Sequence, residues 1–173
     1  MNMSQLVGSF TIEPDVTPDQ GLGSLGEWPP AGANNSIVTS LTVSDEAFRM
    51  DGNEYPGFVI QFHYLLADDP TREEPLSWNG APFRFPKDEA VVTADNQKKR
   101  IRIAKERLAG HITTLLGRPQ SQQLAADLQA IDTLLSSDST VMCQVFCKVS
   151  SKTREDGTRT EYREEKLQKL LSS

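Results

Sequence analysis

Cysteine is scarce: Cys143 and Cys147 are the only two in 173 residues, too few for the disulfide framework that small secreted domains rely on. Long apolar runs are missing as well. No stretch approaches the ~18 consecutive apolar residues that a membrane-crossing helix needs. The first ten residues hold no basic residue and no long apolar segment, which argues against a secretory signal. A reducing, cytoplasm-like compartment is the expectation. Histidine is limited to His63 and His111, and neither has a Cys, Asp or Glu at metal-ligand spacing. No GxSxG motif occurs. Read on one strand, Cys143 and Cys147 lie about 13 Å apart at ~3.3 Å per residue, too far for a shared zinc ion or a disulfide. They read instead as small buried apolar side chains. These absences point to a non-catalytic protein without metal or cofactor.

Positive charge is absent from the first 48 residues, where Glu13, Asp15, Asp19, Glu27, Asp45 and Glu46 are all acidic. Those six account for the whole net charge of −6, because the 18 acidic residues that follow balance the 18 basic ones. The acidic total therefore describes the leading segment and does not argue against an anionic partner for the rest.

What is present divides the chain in two. Residues 1–35 are rich in Gly and Pro, show no sustained period, and read as a flexible acidic arm with a short strand at 6–12. Phe10 and Trp28 stand out there, as rings that dock on the body or on a neighbouring subunit. Residues 36–173 are patterned. Ile37, Thr39, Leu41 and Val43 alternate with Val38, Ser40 and Thr42, which predicts a first strand, and Asp51-Gly52-Asn53 is a turn signal. The run 55–66 places Phe58, Ile60, Phe62 and Tyr64 on one face, read as core, and Val59, Gln61, His63 and Leu65 on the other. A third apolar stretch, 76–85, is interrupted by Asn79-Gly80.

Helical periodicity then takes over. Ile101, Ala104, Leu108, Ile112 and Leu115 recur at three- and four-residue steps before Gly117 and Pro119, and Leu124, Leu128, Ile131 and Leu135 mark a second helix. Alternation returns at 141–149, with Val141, Cys143, Val145, Cys147 and Val149 on one side and Met142, Gln144, Phe146 and Lys148 on the other. Glu155-Asp156-Gly157 turns the chain into a strand at 158–163, and the end, 164–171, extends that strand or coils into a short helix. The order β-β-β-α-α-β-β predicts a mainly β protein with helices: an OB-fold-like five-stranded barrel, which binds oligonucleotides on its strand 2–3 face and through two loops.

Single-stranded nucleic acid is held by stacking bases on exposed rings beside cations, at ~1–3 kcal/mol per base. The rings on the expected binding strands are Tyr55, Trp78, Phe83 and Phe85, with Arg84 between the last two on the opposite face. Phe146 is the sharper case, because it shares its side of the strand with Gln144 and Lys148. Arg49, Arg84, Lys148, Lys152 and Arg154 would meet phosphates. Lys98, Lys99, Arg100, Arg102, Lys105, Arg107 and Arg118 form either a solvated outer helix face or a further phosphate-tracking patch, with Lys98, Arg102 and Lys105 on one side of the helix.

The layout from Ser36 to Leu171 resembles phage- and plasmid-type single-stranded-DNA-binding proteins of the OB-fold group. The resemblance lies in Tyr55-Pro-Gly-Phe-Val-Ile-Gln-Phe after the DGN turn, in Trp78 with Phe83-Arg-Phe, in the helix closing at Leu115-Leu-Gly, and in the final hairpin with Asp156-Gly and Tyr162. It implies a virus-encoded, host-cytoplasmic homo-oligomer that coats single-stranded DNA in replication, recombination or repair, alongside proteins of those processes and away from membranes. The acidic C-terminal tail common in such proteins has no counterpart in Lys166-Leu-Gln-Lys169-Leu-Leu-Ser-Ser. The competing reading is a small interaction or assembly protein that buries a protein partner. Salt separates the two, since phosphate binding weakens steeply with ionic strength and a dry protein interface does not.

Overall fold

The computed structural model describes residues 2–13, 27–67, 69–153, 155–157 and 159–172, with the backbone alone for 152, 159–162 and 172. Helix α1 (Met3–Val7) precedes strands β1 (Gly32–Asp45), β2 (Phe48–Met50), β3 (Asn53–Tyr55), β4 (Gly57–Leu66), β5 (Ser77–Asn79) and β6 (Phe83–Pro86). Helices α2 (Asp95–Leu116) and α3 (Leu124–Leu135) follow, and β7 (Met142–Thr153) and β8 (Arg159–Ser172) close the chain. The protein is thus mainly β with helices, as the pattern predicts. Six strands form one antiparallel sheet in the order β5-β4-β1-β7-β8, with β6 also on β4. β5 faces 63–65 and β6 faces 57–60, so the two are successive pieces of one edge.

The expected barrel does not close. Among the described residues no backbone ladder joins β8 to β5 or β6. Helix α2 touches both β6 and β8, strands at opposite margins of the sheet, so the sheet curls around that helix while α3 packs on β1. Side chains span the remaining gap. Arg107 Nη2 of α2 donates to the Ala81 carbonyl, Thr114 Oγ1 donates to the Leu167 carbonyl at 3.1 Å, and the Ala81 N–H donates to the Glu165 carboxylate.

One face of the sheet is dry. Phe58, Ile60, Phe62 and Tyr64 of β4 meet Leu108 and Ile112 of α2 and Leu128 and Ile131 of α3 in a continuous core. Burying each such side chain contributes roughly 1.5–3 kcal/mol. Cys143 and Cys147 lie in this core, fully buried and unbridged. The first strand departs from simple alternation. A bulge between Val38 and Ser40 shifts the register, so Val38 points inward before it and Leu41 and Val43 after it, while Ile37 faces out. At the tip of β2–β3, Asp51 (φ 51°) and Gly52 (φ 78°) are both left-handed, as a two-residue hairpin turn requires.

Of the expected arm, residues 14–26 lie outside the described residues, and the described residues on either side pack on the body. Residues 3–7 are helical rather than extended, because Asn2 Oδ1 caps the first turn and Met3 and Val7 bury one side of it. Phe10 packs edge-on against Phe58 at 5.3 Å and Ile12 is 1% exposed, so Met3, Val7, Phe10 and Ile12 belong to the core. Glu13 then grips Lys105 Nζ at 2.9 and 3.0 Å. Trp28 docks on Trp78 and donates to the Asn79 carbonyl at 2.9 Å. Both outlying rings therefore sit on the body of the same chain. No helix among the described residues is long and apolar enough to cross a membrane.

Candidate nucleic-acid interface

Among the described residues no helix packs on the second face of the sheet, whose outward side chains follow from strand alternation. On β4 these are Val59, Gln61, His63 and Leu65, and on β7 they are Met142, Gln144 and Phe146, all half-buried. Cross-strand pairing puts Leu65, Ile37 and Met142 in one apolar row. Beside it lies a hydrogen-bonded row: His63 Nε2 meets the Thr42 hydroxyl at 3.0 Å and Nδ1 meets Asn79 Oδ1 at 2.7 Å.

Phe146 sits at one end of this face. Its cross-strand partners are Ala33 on β1 and Lys166 on β8, and Lys148 stands opposite Glu164. Together Phe146, Lys148, Glu164, Lys166 and Gln168 line a depression of about 290 Å³. Beyond Cys147, β7 has no partner on β1, so β7 and β8 continue as a two-stranded ribbon past the sheet. Val149 is exposed for that reason, although its parity matches the core-facing residues of β7. At the other end, Glu46, Ala47, Phe48, Arg49 and Arg84 line a second depression of about 390 Å³. Arg84 pairs with Glu46 at 3.5 Å and Arg49 with Glu54 at 3.1 Å.

The sequence-predicted residues thus separate into groups. Phe146 and Lys148 come together, as do Arg49 and Arg84, whereas Tyr55 of β3, opposite Phe48, is half-buried against the core and lines neither depression. Trp78 and Phe83 do not join either group, because both are core rings. Trp78 is 2% exposed, stacked on Tyr64 at 4.2 Å, with Nε1 donating to Ser36 Oγ at 3.3 Å. Phe83 is 1% exposed and lies under the Arg107 guanidinium at 3.8 Å. Neither leaves a ring face open for a base in this fold. Phe85 is likewise buried. Arg154 and the side chain of Lys152 lie outside the described residues.

Helix α2 also differs from its expected charged face. Lys98, Lys99, Arg100 and Arg102 are exposed, but Lys105 and Arg107 turn inward. Lys105 lies between Glu13 and Glu89 and 5.0 Å from the Phe10 ring centre, a buried ammonium neutralised on both sides. The exposed cations sit on the helix layer, away from the open sheet face.

Sequence reasoning missed Lys166, Glu164 and Gln168. Their signal was the outward parity of 164 and 166, readable only if β8 runs on past 163, one of the two courses left open for the end of the chain. It also missed the densest group of titratable side chains, Tyr64, Arg107, His111 and Glu165, all buried. His111 Nε2 stands 3.6 Å from Glu165 Oε2, and His111 Nδ1 lies 3.0 Å from the Arg107 carbonyl. Burial and the Glu165 carboxylate push the Tyr64 hydroxyl well above its ordinary value. Burial brings Arg107 down to about 10, opposed by the attraction of Glu165. This group bridges the gap between the sheet margins and is closed to solvent. The chain matches no protein-family model, no curated protein and no solved structure.

Proposed function

We propose that this protein binds single-stranded nucleic acid, DNA in the first instance, on the open face of its sheet, without catalysing a reaction on it. The observation that carries the reading is Phe146, a ring on the solvent side of the sheet with Lys148 on its own strand and Lys166 directly across. A base stacked on that ring would bring its flanking phosphates to the two ammonium groups. The strand order supports an OB-type architecture. Counting β5–β6 as one, the five principal strands neighbour one another as third-second-first-fourth-fifth, a curled and partly open arrangement. Coating of DNA by a homo-oligomer in replication, recombination or repair belongs to the same proposal.

The test is fluorescence anisotropy with labelled oligothymidine at low and moderate salt. Phe146→Ala is expected to weaken binding by ~1–3 kcal/mol, the cost of one lost stack. Equal affinity for the variant and the parent would remove Phe146 from the site. A second reading, docking of a protein partner, is favoured by the apolar row Leu65–Ile37–Met142 on the same face. It predicts an association insensitive to ionic strength.

A further inference from the structure

The two ends of the open face are unequal in charge. The Phe146 end sets Lys148 and Lys166 against Glu164, leaving an excess of one positive charge. The far end sets Arg49 and Arg84 against Glu46 and Glu54 and is neutral as it stands. The ends are also far apart. Phe146 is level with Ala33 on β1, and Arg84 is level with Val59, which faces Ser44 on β1. Eleven residues of strand separate those two positions, roughly 36 Å at ~3.3 Å per residue.

Resting on the nucleic-acid reading above, we propose that Glu46 is an internal competitor for phosphate on Arg84, so that the far end engages only strands long enough to reach it from Phe146. The carboxylate occupies Arg84 much as a phosphate oxygen would, through an ionised acceptor on the guanidinium. The pair is weakly held, since the Arg84 and Glu46 side chains are 56% and 46% exposed. A phosphate delivered there by a strand already anchored at Phe146 arrives at high effective concentration and displaces it. A strand arriving alone meets a neutral site. Between the ends, Thr42, Asn79 and Gln61 offer uncharged hydrogen-bonding groups, which suit bases better than phosphates. Length therefore becomes a condition of tight binding. A four-nucleotide strand drawn out to about twice its ~3.4 Å duplex rise spans less than ~30 Å, short of the far end.

The experiment compares oligothymidines of about 4 and about 16 nucleotides, the limits for one such module, on the full chain. Glu46→Gln is expected to tighten the long strand by about 2–5-fold, since no carboxylate then has to be displaced from Arg84. The short strand is unmoved. In an Arg84→Gln background the gain from Glu46→Gln disappears, which a general change in charge would not produce. If Glu46→Gln alters both lengths alike, or neither, the competitor role is overturned. Phe146→Ala weakening both lengths would then still uphold the binding reading. Failure of the parent protein to bind either strand at low salt overturns both.

Discussion

Glu165→Ala should cost the fold about 3–5 kcal/mol, the range for removing one partner from a buried charged group. Glu165 is 0% exposed, and its carboxylate accepts from the Ala81 N–H, faces the Tyr64 hydroxyl and stands 3.6 Å from His111 Nε2. Truncation leaves the Ala81 amide without its acceptor, at ~1–3 kcal/mol, and the Arg107 guanidinium buried without its counter-charge. Glu165→Gln keeps an acceptor but loses the charge and is expected to fall between the two. Urea unfolding followed by circular dichroism measures both. A Glu165→Ala midpoint equal to that of the parent would mean that the side-chain bridge contributes nothing. Gly80 gives an independent check, because a Cβ there would collide with the Glu165 carboxylate. Gly80→Ala should therefore destabilise the parent far more than it destabilises Glu165→Ala, a coupling that a double-mutant cycle reads directly.

Stability should also fall steeply in alkali, and the two cysteines should lead it. Burial pushes both thiols from 9.0 up to about 12, although the Asn34 amide on Cys147 Sγ, at 3.4 Å, pulls slightly the other way. Between pH 9 and 12 the unfolded chain releases these protons while the folded chain keeps them. The folded state then binds more protons, so stability declines as pH rises through that window and is unaffected below it. Each thiol contributes about 1.4 kcal/mol per pH unit, hence ~2–3 kcal/mol apiece by pH 11. Tyr64, raised well above 10.0, adds a loss of the same sign above pH 10. Arg107, lowered from 12.5 to about 10, has the opposite sign over the higher range. The thiols are thus the first of these four to act. Urea midpoints at pH 8, 9, 10 and 11 for the parent and for Cys143→Ala/Cys147→Ala test this. An equally steep decline in the variant would refute it.

How much was legible in the sequence depends on how local the cause is. The periodicity of α2 and α3, the Gly117 stop and the alternation of β4 and β7 lie within a few residues of one another, and each element forms where those signals place it. The parity of β4 also identified its core face. Reading failed wherever the cause is distant. A bulge at Thr39 moves no residue out of a strand-like pattern, yet it reverses which of Ile37 and Val38 faces the core. Trp78 and Phe83 are as aromatic in the core as at a binding face, and only the curl of the sheet around α2 decides between the two. Lys105 and Arg107 read as surface charges because charged residues are rarely buried without a partner. Their partners, Glu13, Glu89 and Ala81, are between 16 and 92 residues away in the chain. The site followed the same rule. Phe146 and Lys148 were found from one strand, whereas Lys166 required the pairing of two.

The way the ends of the chain are tied in bears on how it is made. Met3 and Val7 pack near α3, and Ala81 waits for Glu165, 84 residues further along the chain. A ribosome delivers these partners in the wrong order for early completion. The first helix leaves the exit tunnel long before the surface it needs, and the curled sheet has no fastening until β8 is synthesised. Folding must then begin in the middle, with β1–β4 and the two helices, and the sheet is fastened only once β8 arrives. Nascent chains stopped before residue 165 should lack the Ala81–Glu165 fastening and be more open to protease between β5 and β6 than chains that include β8.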